Sequence, residues 1–324
     1  MKQSAIVPSK AIMTESTESP NRIQVVFHHP ASQPVKETDA LVDTVRSTAP
    51  DQVKVAINEL EKMIGLGEAK RVMYEIYALL RTNRERLKHQ LRTDQQVYHM
   101  VFKGSPGTGK TTVARIFGKI LKEMGILSKG HLIEAERADL VGEYIGHTAQ
   151  KTRDLIKKAM GGILFVDEAY SLARGGEKDF GKEAVDCLTK AMEDHKNDFI
   201  CILAGYTEEM EEFLQINPGL PSRFPIQIHF EDYQVEELLE IAEMMVLEKE
   251  YLLSPPAKEK IRTHLHKLLQ DPFLVSFSNA RYIRNVLEKA VRAQAMRLLK
   301  NNQLTRDDLM ILRAEDIMLG TVRP

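Results

Sequence analysis

Tryptophan is absent from the 324 residues, cysteine occurs twice, and aromatic residues make up only 6% of the chain. Two cysteines, Cys187 and Cys201, are too few for a disulfide framework, and their spacing is not that of a metal-binding motif. Both stand in apolar stretches and are expected as buried thiols of a reducing compartment. No apolar run approaches the ~20 residues of a membrane span, and the N-terminus lacks the apolar core of a signal peptide, so a cytoplasmic protein is expected. Neither charge predominates. Lys and Arg number 45 against 46 Asp and Glu, a formal net charge of -1, which gives no whole-chain field toward nucleic acid or an anionic membrane.

The hydrophobic fraction, 43%, supports a sizeable core in one large or two moderate domains. Residues 1–50 carry Pro8, Pro20, Pro30, Pro34 and Pro50 among polar residues, which predicts a flexible N-terminal arm with at most one strand or docking segment near 23–27. From 53 to about 91 apolar residues recur at helical spacing around Gly65-Leu66-Gly67, predicting two helices about a glycine hinge. Strand and helix patterns then alternate. Strands are expected at 97–102, 131–135, 163–166, 199–204 and 226–230, with helices at 112–123, 149–160 and 182–194. Such alternation predicts an α/β domain over 51–232, a parallel five-stranded sheet between helices. Beyond Tyr233 only helical patterns remain, at 235–249, 257–269 and 279–299. Pro255-Pro256 and Asp271-Pro272 mark the breaks, and a small all-α domain is expected over 233–324.

Gly104-Ser105-Pro106-Gly107-Thr108-Gly109-Lys110-Thr111 joins the first of those strands to a helix that begins near Thr112. In such a P-loop the glycines let backbone N–H groups curl around phosphate, and the helix directs its positive end at the same anion. Lys110 would reach the β- and γ-phosphates of ATP, and the Thr111 hydroxyl would ligate Mg²⁺. Hydrolysis needs a second metal contact and a base for the attacking water. Ile163-Leu164-Phe165-Val166-Asp167-Glu168 supplies candidates for both: a buried strand delivers two carboxylates to the edge where α/β sheets bind ligands. Asp167 would hold Mg²⁺ and Glu168 would act as general base.

Further segments carry a resemblance. Residues 138–146 (Ala-Asp-Leu-Val-Gly-Glu-Tyr-Ile-Gly), Ala204-Gly205-Tyr206, residues 217–224 (Asn-Pro-Gly-Leu-Pro-Ser-Arg-Phe) and Ser278-Asn279-Ala280-Arg281 resemble the CbxX/CfqX subfamily of AAA+ ATPases. Its members serve rubisco activation, type VII secretion and sporulation. The match is nearest to the sporulation branch and covers roughly 52–324. The resemblance implies a P-loop AAA+ fold with a helical lid, ATP hydrolysis with Mg²⁺, and a homo-oligomeric ring, expected as a hexamer. It implies that Arg223 is the finger reaching a neighbour's nucleotide, and that Arg281, with Arg284 one turn on as a competitor, is lowered onto ATP by the lid. Tyr144-Ile145-Gly146 matches the loop that faces the ring's pore and grips polypeptide. The water-orienting sensor stays open between Tyr206 and Asn217, because Ala204-Gly205-Tyr206 stands where many relatives carry a polar residue. Ile64 and Leu66 match the segment over the adenine, although a plain helix-helix turn reads nearly as well.

The leading expectation is therefore a ring ATPase that remodels or translocates an unidentified protein partner in spore formation. A nucleic-acid motor would need a basic, aromatic-interleaved face. The nearest basic cluster, 281–297, shares its helix with Glu288 and an apolar stripe. A nucleotide-dependent switch or scaffold with little turnover is the other alternative, and Glu168 and Arg223 count against it.

Overall fold

The computed structural model describes residues 44–45, 47–93, 96–144, 146–174, 180–196, 198–216, 219–271, 277–299 and 303–319. Ile145, Asn217 and the 23–27 run lie outside the described residues.

Two helices, α1 (Asp51–Glu61) and α2 (Gly67–Lys88), precede a parallel sheet. The sheet is built from β1 (Met100–Gly104), β2 (Leu132–Ala135), β3 (Ile163–Val166), β4 (Ile200–Gly205) and β5 (Ile226–Phe230). Its order is β2-β3-β4-β1-β5 and every pair is parallel, so a crossover joins each strand to the next. The crossovers are α3 (Lys110–Glu123), α4 (Arg137–Leu140) with α5 (His147–Ala159), α6 (Gly181–Asp194), and α7 (Thr207–Ile216) with α8 (Leu220–Arg223). β3 and β4 are buried at every position, as uninterrupted apolar runs covered on both faces must be.

Alternation along the strands sends neighbouring side chains into two separate cores. Met100, Phe102, Phe165 and Ile202 join α1, α2 and α3, whereas Val101, Leu164, Val166 and Leu203 join residues of α5 and α6. Phe102 is fully buried and packs edge-on against Phe117 and tilted against Phe230, ring centroids 6.0 and 5.0 Å apart. Burial of such a side chain stabilises by about 1.5–3 kcal/mol. Val45 and Ala49, from the stretch expected as an arm, are buried in the first core.

The sheet starts and ends later along β1 than expected. Pairing begins at Met100 opposite Ile202 and Ile226 and runs to Gly104 opposite Phe230. Lys103 is tolerated inside the sheet because its stem stays buried while its Nζ pairs with Glu211 at 3.3 Å.

The last third packs α9 (Val235–Leu247), α10 (Pro255–Leu269) and α11 (Asn279–Leu298) around a third core that includes Leu238, Ile261 and Val286. It is not wholly helical. β6 (Leu252–Leu253) and β7 (Ile311–Leu312) form a two-residue parallel ladder, and a short helix α12 (Arg306–Met310), capped by Thr305, precedes β7. Pro255 and Pro256 lie in the first turn of α10 rather than ahead of it. Ser254 caps that turn, where a missing N–H costs nothing. Both cysteines are free; Cys201 is buried, with its thiol pushed up to about 12 by desolvation, but Cys187 is only partly covered, contrary to expectation.

Candidate functional site

The C-terminal ends of β1, β3 and β4 meet the helical domain at a cleft of about 600 Å³, lined by the phosphate-type loop after β1, both carboxylates after β3, and residues of α9 and α11. Gly104 closes β1 with φ 149°, and a Cβ there would stand 2.3 Å from the Phe230 carbonyl oxygen. Only glycine keeps β1 and β5 paired to that point. A Cβ at Gly107, where φ is 75°, would stand 2.2 Å from the Ser278 carbonyl oxygen and 2.9 Å from the Arg281 nitrogen, so the loop lies directly against the start of α11. Lys110, Thr111 and Thr112 open α3 and line the cleft. Ser105 and Thr108 do not line it; Thr108 is fully buried and its hydroxyl donates to the Ser105 carbonyl at 2.8 Å.

Lys110 donates from Nζ to the carbonyls of Gly104 and Ser105, both at 2.7 Å. Burial draws its pKa down from 10.5 to about 8. The charge of Arg281 acts in the same direction, while Asp167 and Asp232 oppose it. Asp167 and Glu168 follow β3 into the cleft, the Glu168 N–H donating to Asp167 Oδ1 at 3.0 Å. Glu168 sits in the left-handed region, φ 47°, a placement that costs about 1–3 kcal/mol in a residue with a side chain. The 3-10 turn Ala169–Ala173 holds it there, with Ser171 N–H donating to the Glu168 carbonyl at 2.8 Å.

Tyr206, directly after β4, lines the same cleft, and its ring lies 6.1 Å from that of Tyr170. Arg281 and Arg284 both line the cleft from α11, one turn apart. Ile64 lines it together with Met63, while Leu66 packs against the first core. Lys70 closes that hinge by donating to the Met63 carbonyl at 2.8 Å.

Arg223, Tyr144 and Gly146 also stand outside the cleft. Arg223 ends α8 and does not line the cleft; its guanidinium is held by Glu193 and donates to the Gly219 carbonyl at 2.8 Å. Tyr144 is 66% exposed, its ring edge-on to His147 at 5.4 Å, and Gly146 takes φ 83° to start α5.

Sequence reasoning missed Tyr233 and Asn279 as parts of this site. Tyr233 lines the cleft and its hydroxyl donates to the Thr108 carbonyl at 3.1 Å. Asn279 is fully buried, with its amide on Asp232 at 2.7 Å. The only signal was Asn279's place within a recognisable tetrapeptide.

The profile of the ATPase family associated with various cellular activities (AAA) matches residues 100–232, and that of the AAA lid domain matches residues 234–322. Stage V sporulation protein K of Bacillus subtilis (strain 168) is 59% identical over 261 residues, 81% of this chain and 81% of that protein. The chloroplastic ribulose bisphosphate carboxylase/oxygenase activase of Cyanidioschyzon merolae (strain NIES-3377 / 10D) is 44% identical over 271 residues, 82% of this chain and 92% of that one. Protein CbbX of Cereibacter sphaeroides is 43% identical, covering 83% of this chain and 87% of its own. Among solved structures, a Thermotoga maritima RuvB mutant superposes with a TM-score of 0.51 at 19% identity over 80% of this chain and 69% of that one, a likeness of fold alone. No helix among the described residues is long and apolar enough to cross a membrane. With both profiles matched in order and relatives this similar over four fifths of the chain, the protein belongs to the AAA family: it is an ATPase whose α/β domain is followed by a AAA lid.

Proposed function

We propose that the protein assembles as a hexameric ring and uses ATP hydrolysis to remodel or translocate a protein partner during spore formation. The observation that carries the ring is the place of Arg223: it stands outside its own chain's cleft, held at the surface by Glu193 and Gly219, where a neighbour's nucleotide would be in reach. A guanidinium is suited to charge developing on a transferring phosphoryl group. Tyr144 supports the work on polypeptide, since an exposed ring beside a glycine makes apolar contact without reading sequence.

Within one cleft the roles divide by chemistry. The loop amides and Lys110 take the phosphates. Among the described residues no group of three or more His, Cys, Asp or Glu side chains is placed to hold a metal ion. Thr111 and Asp167 lining one cleft fit Mg²⁺, which needs only one or two protein oxygens beside those of the phosphates. Bound Mg²⁺ would neutralise phosphate charge as the bond breaks. Glu168 takes the proton of the attacking water, and of the two sensor candidates Tyr206 lines the cleft at the end of β4 while Asn217 lies outside the described residues. Arg281 reaches the same nucleotide from the lid.

Identity of 59% to a sporulation protein of Bacillus subtilis supports the process, and the 44% identical activase favours rubisco as a second partner. The test uses tagged Glu168→Gln protein with ATP in sporulating cells. We expect an ATP-dependent sixfold assembly that retains a protein partner and is indifferent to DNA. A monomer with ATP, or assembly driven by DNA, refutes the proposal; retention of rubisco instead selects the second reading.

A further inference from the structure

Three consecutive carbonyl oxygens of the phosphate-type loop accept hydrogen bonds from the lid or its connection. Pro106 O receives Asn279 Nδ2 at 3.5 Å, Gly107 O receives the Ala280 N–H at 3.2 Å, and Thr108 O receives the Tyr233 hydroxyl at 3.1 Å. In a loop whose amides converge on an anion the carbonyls face outward, so a loop that tightens on phosphate moves these three acceptors together.

Asn279 joins the parts. Its Oδ1 accepts from Tyr233 N–H at 3.0 Å, and its Nδ2 faces Asp232 at 2.7 Å, Phe277 O at 3.3 Å and Pro106 O at 3.5 Å. An amide nitrogen has two protons, so three acceptors compete for two donors. Asp232 holds one at short range, and the second is shared between the lid's own Phe277 and the loop's Pro106. The residue is fully buried and left-handed, φ 45°, a strained placement that asparagine tolerates better than most. It also starts α11, two residues before Arg281.

We infer that Asn279 is a positioning residue that couples the phosphate loop to the lid: nucleotide on the loop shifts the shared proton toward Pro106 and draws the start of α11, with Arg281, onto the cleft. This rests on the reading that the loop binds ATP, and its test reads lid movement rather than turnover.

Full-length protein carrying Cys187→Ser, Lys157→Cys on α5 and Lys267→Cys on α10 is labelled with a donor–acceptor pair. The interdomain distance is measured with and without a slowly hydrolysed ATP analogue and Mg²⁺. The parent is expected to shorten on binding. Asn279→Gly, which keeps the positive φ and removes the amide, is expected to lose that response and to bind the analogue about 5–30-fold more weakly. Tyr233→Phe, which removes a single donor at the Thr108 carbonyl, the last of the three, gives a partial loss and serves if Asn279→Gly does not fold. No nucleotide response in the parent, or an undiminished response in the variants, overturns the inference. Arg281→Ala with normal turnover would refute the role of Arg281 on ATP while leaving the lid measurement to decide the coupling.

Discussion

Raising the pH above 8 should weaken ATP binding through one side chain, Lys110. In the free protein its pKa lies at about 8, because the ammonium is buried, donating to the carbonyls of Gly104 and Ser105. Polyphosphate beside it favours the charged form, so the complex keeps the Lys110 proton to higher pH than the free protein does. Between those two pKa values binding takes up a proton, and affinity falls as pH rises. With the upper pKa beyond 9.5, Kd should rise about thirtyfold from pH 7 to 9.5, about 2 kcal/mol. Desolvation pushes the neighbouring Tyr233 phenol up to about 12, above that window, and the last phosphate ionisation, near pH 6, lies below it. The assay is titration of a fluorescent ATP analogue against the Glu168→Gln variant at constant ionic strength. Lys110→Arg is the control, since a guanidinium holds its proton throughout and its weaker binding should be flat. A flat Kd for the Lys110 chain, or an equal slope in Lys110→Arg, would refute the assignment.

Gly107→Ala should displace the lid from the loop, because its Cβ would meet two backbone atoms, Ser278 O and Arg281 N, neither of which can rotate away. The positive φ alone costs about 1–2 kcal/mol, so calorimetry should show a lowered Tm together with loss of ATP binding; an unchanged Tm would count against the close approach. Arg223→Ala subunits keep an intact cleft and Glu168→Gln subunits keep an intact finger, so each alone should be deficient by about 10²-fold or more in turnover. Mixing the two should restore part of the rate. A mixture as inactive as its components would sink action in trans.

Much of this arrangement is readable from residue patterns, and the reason is burial. β3 and β4 are covered on both faces, so Ile163 to Val166 and Ile200 to Ala204 had to be apolar without interruption, and the strands stand where those runs predict. The phosphate-type loop is legible because its glycines answer to local backbone geometry. β6 and β7 escaped because two residues carry no period, and their partners, Leu252 and Ile311, are far apart in sequence.

The miss at Asn279 has a different cause. Its function depends on what surrounds it: Asp232 and Tyr233 arrive from the end of β5, Pro106 from the loop after β1, and Phe277 from its own chain just upstream. No spacing rule joins positions 106, 232 and 279, because their meeting is fixed by the sheet order that puts β5 beside β1. That adjacency also explains why the lid follows β5. The strand ends at Phe230 level with Gly104, so the next residues emerge beside the loop and can seat Tyr233 on Thr108 before α9 begins. Transfer of the same lid behind β2 or β3, neither of which pairs with β1, would place its first helix away from the phosphate-type loop, and the carbonyls of 106, 107 and 108 would lose their lid donors.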